Sequence, residues 1–222
     1  MFPFRSERIR GKLTVADLTL YTNPHSRGRI ARWMLEEVGR PYETQVLGYG
    51  GTMKAVEYLE INPMGKVPAI VHRGRVVTET AAICAYLAEA FPESGLAPEP
   101  EERADYHRWM FFAAGPVEAA VTNHSMKVAP DEKQQMMAGY GNFELAMRVL
   151  ESAVARHPYV AGDRFTAADV YVGSSIGWYT RFGIVQRSAV YDAYLERIES
   201  RPAFKRANEL DDAAVAEVQS AA

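Results

Sequence analysis

Asn62–Ile70 reads NPMGKVPAI, and after eight further residues Glu79–Ile83 reads ETAAI. The first stretch opens on the turn formers Asn-Pro and Met-Gly and closes in a short apolar run, which predicts a tight turn feeding a buried strand. KVPAIVH and RVV, on either side of Arg73-Gly74, predict a hairpin. Thr78, Glu79 and Thr80 then stand where side-chain oxygens cap a helix start. Ala81, Ile83, Ala85, Leu87 and Phe91 are the apolar positions of that helix.

Upstream, LTLY predicts a strand, followed by the turn NPHSRGR and a helix. Ile30, Ala31, Met34, Leu35 and Val38 recur at helical spacing, and Gly39 supplies a stop. PYETQVL predicts a second strand, and the glycine-rich turn Gly48–Gly51 leads to a short helix around Met53–Leu59. The order from Asp17 to about Gly95 is therefore β-α-β-α-β-β-α. Pro92–Glu102, with three prolines, is the linker candidate.

Beyond Arg103 the pattern is helical: Arg103–Val128 with a kink expected at Gly115-Pro116, Asp131–Arg156, Ala167–Phe182, Ala189–Ser200 and Pro202–Leu210. Thr166 and Asp169 have capping-box spacing, with Phe165 and Val170 placed as a hydrophobic staple. The expected division is an N-terminal extension over residues 1–16, an α/β domain over 17–95, a linker over 96–102 and an α-helical domain over 103–222.

NPMGKVPAI with ETAAI resembles the glutathione-binding half of the glutathione S-transferase superfamily. FTAADVYVG (Phe165–Gly173) and SRPAFKRA (Ser200–Ala207) resemble its helical half, so the likeness spans about Leu18–Glu209. The resemblance implies an α/β plus all-α architecture: a thioredoxin-like domain followed by an all-helical one, assembled as a cytoplasmic homodimer. It implies a cis Val67-Pro68 bond that offers the Val67 backbone to the cysteinyl part of glutathione. It implies Glu79 and Thr80 at the γ-glutamyl carboxylate, Lys66 at the glycyl carboxylate, and Lys54 as a second cation. The electrophile would dock against Tyr106, Met110 and Ala113, which share a helix face, and against Tyr21 and His25. The implied activity is that of a glutathione transferase, a detoxifying enzyme with glutathione as co-substrate and no metal. Glutathione-dependent peroxide reduction and a non-catalytic ligand-binding module are the alternatives.

The turn NPHSRGR has no cysteine, although relatives often carry one there. Glutathione brings its own sulfur, so the turn needs only to favour the thiolate. Ser26 is the expected N-cap and first choice as the activating hydroxyl. Asn23 is the second, because it takes the tyrosine position if Arg27-Gly28-Arg29 is aligned with tyrosine-type members. Helix N-termini lower thiol pKa values, and one pKa unit is about 1.4 kcal/mol.

The 222 residues are 48% hydrophobic and 24% charged with a net charge of −3. That balance suits a globular chain and argues against nucleic acid as a partner, with Arg27, Arg29 and Arg32 the one local basic patch. A single cysteine, Cys84 on an apolar helix face, excludes an intrachain disulfide framework and speaks against thiol-disulfide exchange. No apolar run reaches the length of a membrane span.

Overall fold

The computed structural model describes residues 17–220, with side chains to Ala216. The expected extension over residues 1–16 lies outside the described residues. Four strands form one sheet: β1 Leu18–Thr22, β2 Glu43–Val46, β3 Ala69–His72 and β4 Arg75–Thr78, in the order β2-β1-β3-β4. β1 and β2 are parallel, with Leu20 opposite Thr44, which requires the helical crossover that α1, Gly28–Val38, provides. β3 runs antiparallel to both β1 and β4, and the hairpin turns at Arg73-Gly74, where Gly74 has φ +75°. α1 ends as expected: Gly39 takes the left-handed conformation and its N–H donates to Leu35 O.

α2, Val56–Leu59, lies on one face of the sheet, where Met53, Tyr58 and Ala69 form a small buried cluster. α1 and α3, Thr80–Ala90, cover the other face and merge with the helical half in one continuous core that includes Leu20, Trp33, Ile70 and Leu87. The chain reaches that half without a loose tether. Leu96 is buried and its carbonyl accepts the Ala167 N–H, while Arg164 donates to the carbonyls of Gly95 and Ala97.

The helices that follow are α4 Arg103–Phe112, α5 Glu118–Ser125, α6 Glu132–Met137, α7 Phe143–Ala155, α8 Ala167–Arg181, α9 Ala189–Glu199 and α10 Pro202–Ser220. Three details differ from expectation. Pro116 sits in a five-residue π turn, Ala113–Val117, which takes up the missing donor between α4 and α5. The segment 131–156 is two helices, because Gly141 at φ +66° reverses the chain and Asn142 recaps it by accepting the Leu145 N–H. α10 runs ten residues past Leu210, and α1 holds it there. Arg32 bonds Asp211 at 2.8 Å, Arg29 reaches Asn208 and Asp212, and Glu37 accepts two hydrogen bonds from Arg201.

The cap of α8 forms as its spacing predicts. Asp169 Oδ2 accepts from the N–H and hydroxyl of Thr166, and Oδ1 from Val160 N–H and the Tyr194 hydroxyl. Burial pushes the Asp169 carboxyl up to about 6, against the downward pull of those four donors.

Candidate functional site

A cleft of about 320 Å³ opens where the end of the α2–β3 loop, the start of α3 and the helical half meet. Lys66, Val67 and Pro68 line it from the loop, Glu79, Thr80 and Ala81 from α3, and Arg27 from the start of α1. Ala114, Glu118 and Tyr171 close the far side. Val67-Pro68 is cis, as expected.

The loop is pinned from beneath. Lys66 O accepts from the Tyr58 hydroxyl at 2.5 Å and from Asn62 Nδ2 at 2.8 Å, while Lys54 Nζ donates to Gly65 O at 2.7 Å. Lys54 is thus a brace for the loop, outside the cleft lining. The Lys66 amino group and the Val67 backbone N–H and C=O carry no partner among the described residues. Glu79 holds φ +64°, a conformation costly for a residue with a Cβ, and its exposed carboxylate is also unpaired. Strain of this kind, one residue before α3, sets the angle at which the helix presents its free N–H groups and the buried Thr80.

The Asn23–Gly28 turn is built from its own side chains. Ser26 Oγ donates to Asn23 O at 2.7 Å and accepts the Gly28 N–H at 2.9 Å. Asn23 Nδ2 donates to Leu47 O at 2.7 Å, and its Oδ1 accepts the His25 N–H. The helix starts at Gly28 with Arg27 in the N-cap seat, so Ser26 stands one residue ahead of its expected place. Gly28 is required: a Cβ there would lie 1.9 Å from Thr22 Oγ1. Arg27 pairs with Glu118, whose other oxygen accepts the Tyr179 hydroxyl at 3.0 Å, so this ion pair crosses between the two halves at the cleft.

The expected electrophile wall is corrected. Tyr106, Met110 and Ala113 do share a face, but it is turned inward, each is at most 3% exposed, and all three belong to the core. The π turn after α4 leaves Ala114 and Glu118 facing the cleft instead. Tyr21 packs its ring on Tyr58, 5.6 Å between centroids, on the α2 face of the sheet. His25 is exposed and lines a second cavity of about 650 Å³ with Pro24, Arg29, Trp178, Phe182 and Phe204. Arg27, Arg29 and Arg32 form no free basic patch, since each is paired to a carboxylate. Cys84 is fully buried, which drives its thiol far above the ordinary range.

Residues 26–90 match the family described as glutathione S-transferase, N-terminal domain. A glutathione S-transferase of Xanthomonas campestris pv. campestris is 27% identical over 189 residues, 82% of this chain and 92% of that protein. The glutathione transferase of Methylococcus capsulatus has the same architecture, with a TM-score of 0.72 at 29% identity over 88% of this chain and 98% of that one. Over most of its length the chain is similar to glutathione S-transferases, and residues 26–90 match the N-terminal domain of that family. A third relative, a sphingomonad glutathione S-transferase solved in complex with glutathione, superposes with a TM-score of 0.69 at 27% identity, over 87% of this chain and 98% of that one.

Asn62, Arg27, Ala114, Glu118 and Tyr171 are cleft residues that the sequence reading did not place there. Ala114, Glu118 and Tyr171 come from the half where no motif marks the site, and Arg27 reads locally as one more surface charge. Among the described residues, no group of three or more His, Cys, Asp or Glu is gathered as a metal site, and no helix is long and apolar enough to cross a membrane.

Proposed function

We propose that this protein is a glutathione transferase that binds glutathione in the Lys66–Thr80 cleft, ionises its thiol at the start of α1 and adds the sulfur to an apolar electrophile. One observation carries the reading. The cleft gathers an unpaired cation, an unpaired backbone edge and a helix N-terminus from stretches that are apart in the chain. Those three features match a tripeptide with a carboxylate at each end. Lys66 takes the glycyl carboxylate, and the Val67 N–H and C=O pair with the cysteinyl unit as an added strand. The first N–H groups of α3 and the Thr80 hydroxyl take the γ-glutamyl carboxylate, with Glu79 on its ammonium. The relative solved with glutathione supports the same ligand.

The thiol then reaches the Asn23–Gly28 turn. Of the two candidate donors, Asn23 has the freer proton: Nδ2 carries two and Leu47 O takes one, whereas Asn23 O accepts the single proton of Ser26. Asn23→Ala is expected to raise the pKa of the bound thiol by about one unit or more, and Ser26→Ala by less. Titration of thiolate absorbance in the glutathione complex measures both. Wild type that binds no glutathione at millimolar concentration overturns the reading, and an unchanged thiol pKa in both variants overturns the role of the turn.

The electrophile docks between the turn and the helical half, against His25 and the cavity beside it. The proposed assembly is a cytoplasmic homodimer. Sedimentation equilibrium is expected to return twice the chain mass of 24.8 kDa, and a concentration-independent monomer removes that part.

A further inference from the structure

The cavity of about 650 Å³ beside His25 differs in character from the tripeptide cleft. Its apolar lining is aromatic. Trp178 and Phe182, at the end of α8, meet edge to face with ring centroids 6.1 Å apart, and Phe204 of α10 also lines the space. Phe182 is 69% exposed, and apolar surface left open to water beside polar groups marks a binding site. The polar groups divide by kind. The acceptors are held by one residue: Arg29 donates to Pro24 O, Asn208 Oδ1 and Asp212 Oδ1 at 2.7, 3.1 and 2.6 Å. The donors are not held. The Trp178 indole N–H, the His25 ring and the Arg181 guanidinium make no hydrogen bond among the described residues. Arg181 has one ion pair, with Glu199 at 3.9 Å, and is more than half exposed. A pair that long in water is worth little, so the guanidinium keeps its fork of donors for another acceptor.

We propose that this cavity selects, as second substrate, a planar aromatic electrophile that carries a carboxylate, and that Arg181 is the residue that recognises the carboxylate. The inference rests on the transferase reading above and narrows its electrophile to one chemical class. The aromatic ring lies on the Trp178 and Phe182 surface, and the two carboxylate oxygens accept from the guanidinium fork. The reacting carbon faces the turn that supplies Pro24 and His25, the proposed thiolate site. A neutral aromatic fills the same space but leaves Arg181 in water. A cationic one meets two guanidiniums against the single carboxylate of Asp212, which Arg29 already holds. Arg181 grips one end of the substrate and touches none of the reacting atoms, so its effect belongs in KM and not in kcat.

With an aryl halide the step is a substitution. The thiolate electron pair forms the C–S bond at the carbon that bears chlorine, and the displaced π pair moves into the ring and an ortho nitro group. Its return breaks the C–Cl bond, and chloride leaves with that bond's pair. The thiol proton has already gone to solvent, and the carboxylate is unchanged throughout.

The test compares 4-chloro-3-nitrobenzoate with its neutral isostere 4-chloro-3-nitrobenzamide, each with glutathione, in the full chain and in Arg181→Met and Arg181→Lys. Every kcat/KM is divided by the uncatalysed rate constant with glutathione, which removes the difference in ring reactivity. Wild type is expected to favour the benzoate about tenfold or more, the scale of a hydrogen bond to a charged group. Arg181→Met should abolish that preference through a higher KM for the benzoate, and leave the amide within about twofold, the usual scale of a surface change. Arg181→Lys should restore part of the preference, because it returns the charge without the fork. Wild type that binds glutathione but favours neither compound overturns the inference and leaves the transferase reading standing, as does a preference that survives Arg181→Met. An equal loss on both compounds in Arg181→Met places Arg181 outside carboxylate recognition and overturns it too. Wild type that binds no glutathione overturns the transferase reading and this inference together.

Discussion

Replacing Asp169 by alanine is expected to lower the unfolding free energy by about 4 kcal/mol or more, enough to leave little folded protein at physiological temperature. The carboxylate accepts from four donors: two N–H groups at 2.8 and 2.9 Å and two hydroxyls at 2.8 and 3.1 Å. None of them donates another hydrogen bond among the described residues, and each buried donor left unsatisfied costs about 1–3 kcal/mol. The contact joins the start of α8, the loop before it and Tyr194 of α9, so its loss separates three parts of the core. Chemical denaturation measures the effect, and a loss below about 1 kcal/mol would show that the network is dispensable.

The same carboxyl gives a pH signature. Its pKa in the folded chain, about 6, lies above the ordinary 3.8. The folded state therefore holds this proton more tightly than the unfolded state does. This group's contribution to stability is greatest below the unfolded pKa, declines as pH rises from about 4 to about 6, and is flat above that. Asp169→Asn is expected to abolish this slope, as measured against wild type by denaturation at pH 4, 5, 6 and 7.

Arg32→Met is expected to cost about 3–5 kcal/mol, the range for stripping the partner from a buried charge. Arg32 and Asp211 are both nearly inaccessible, and the second Asp211 oxygen already lacks a partner. Burial raises the Asp211 pKa in spite of the guanidinium, so without Arg32 the carboxyl must either protonate or leave the core. Leaving would free the second half of α10 from α1, the helix whose first turn is the proposed thiolate site. Arg32→Met with Asp211→Leu is expected to recover most of the stability, because well-packed apolar side chains replace buried ion pairs at little cost. Urea titration of the single and double variants decides. Equal losses in both would mean that shape, and not charge, holds the two helices together.

The fold was largely legible because its signals are local. The turn residues of NPMGKVPAI, the Arg73-Gly74 hairpin, Gly39 and the Thr166–Asp169 spacing each declare an element within a few residues, and each is found in place. The helical half was read less well where one glycine decides the outcome: Gly141 splits what periodicity joins. That Lys66, Val67 and Pro68 meet Glu79 and Thr80 at one cleft was legible for the same local reason. The opposite wall was not. A helical stripe such as Tyr106, Met110 and Ala113 reports that a face is apolar, but not whether it meets a cavity or the core. The π turn at Ala113–Val117 shifts the phase of the chain, so that Ala114 and Glu118 come to face the opening.

The burial of Cys84 on the inner side of α3 has a consequence for the proposed reaction. In the proposed reaction, compounds that alkylate sulfur would find only the visiting tripeptide's, which would leave with the product. The protein would outlast such reagents because its sole cysteine is out of reach.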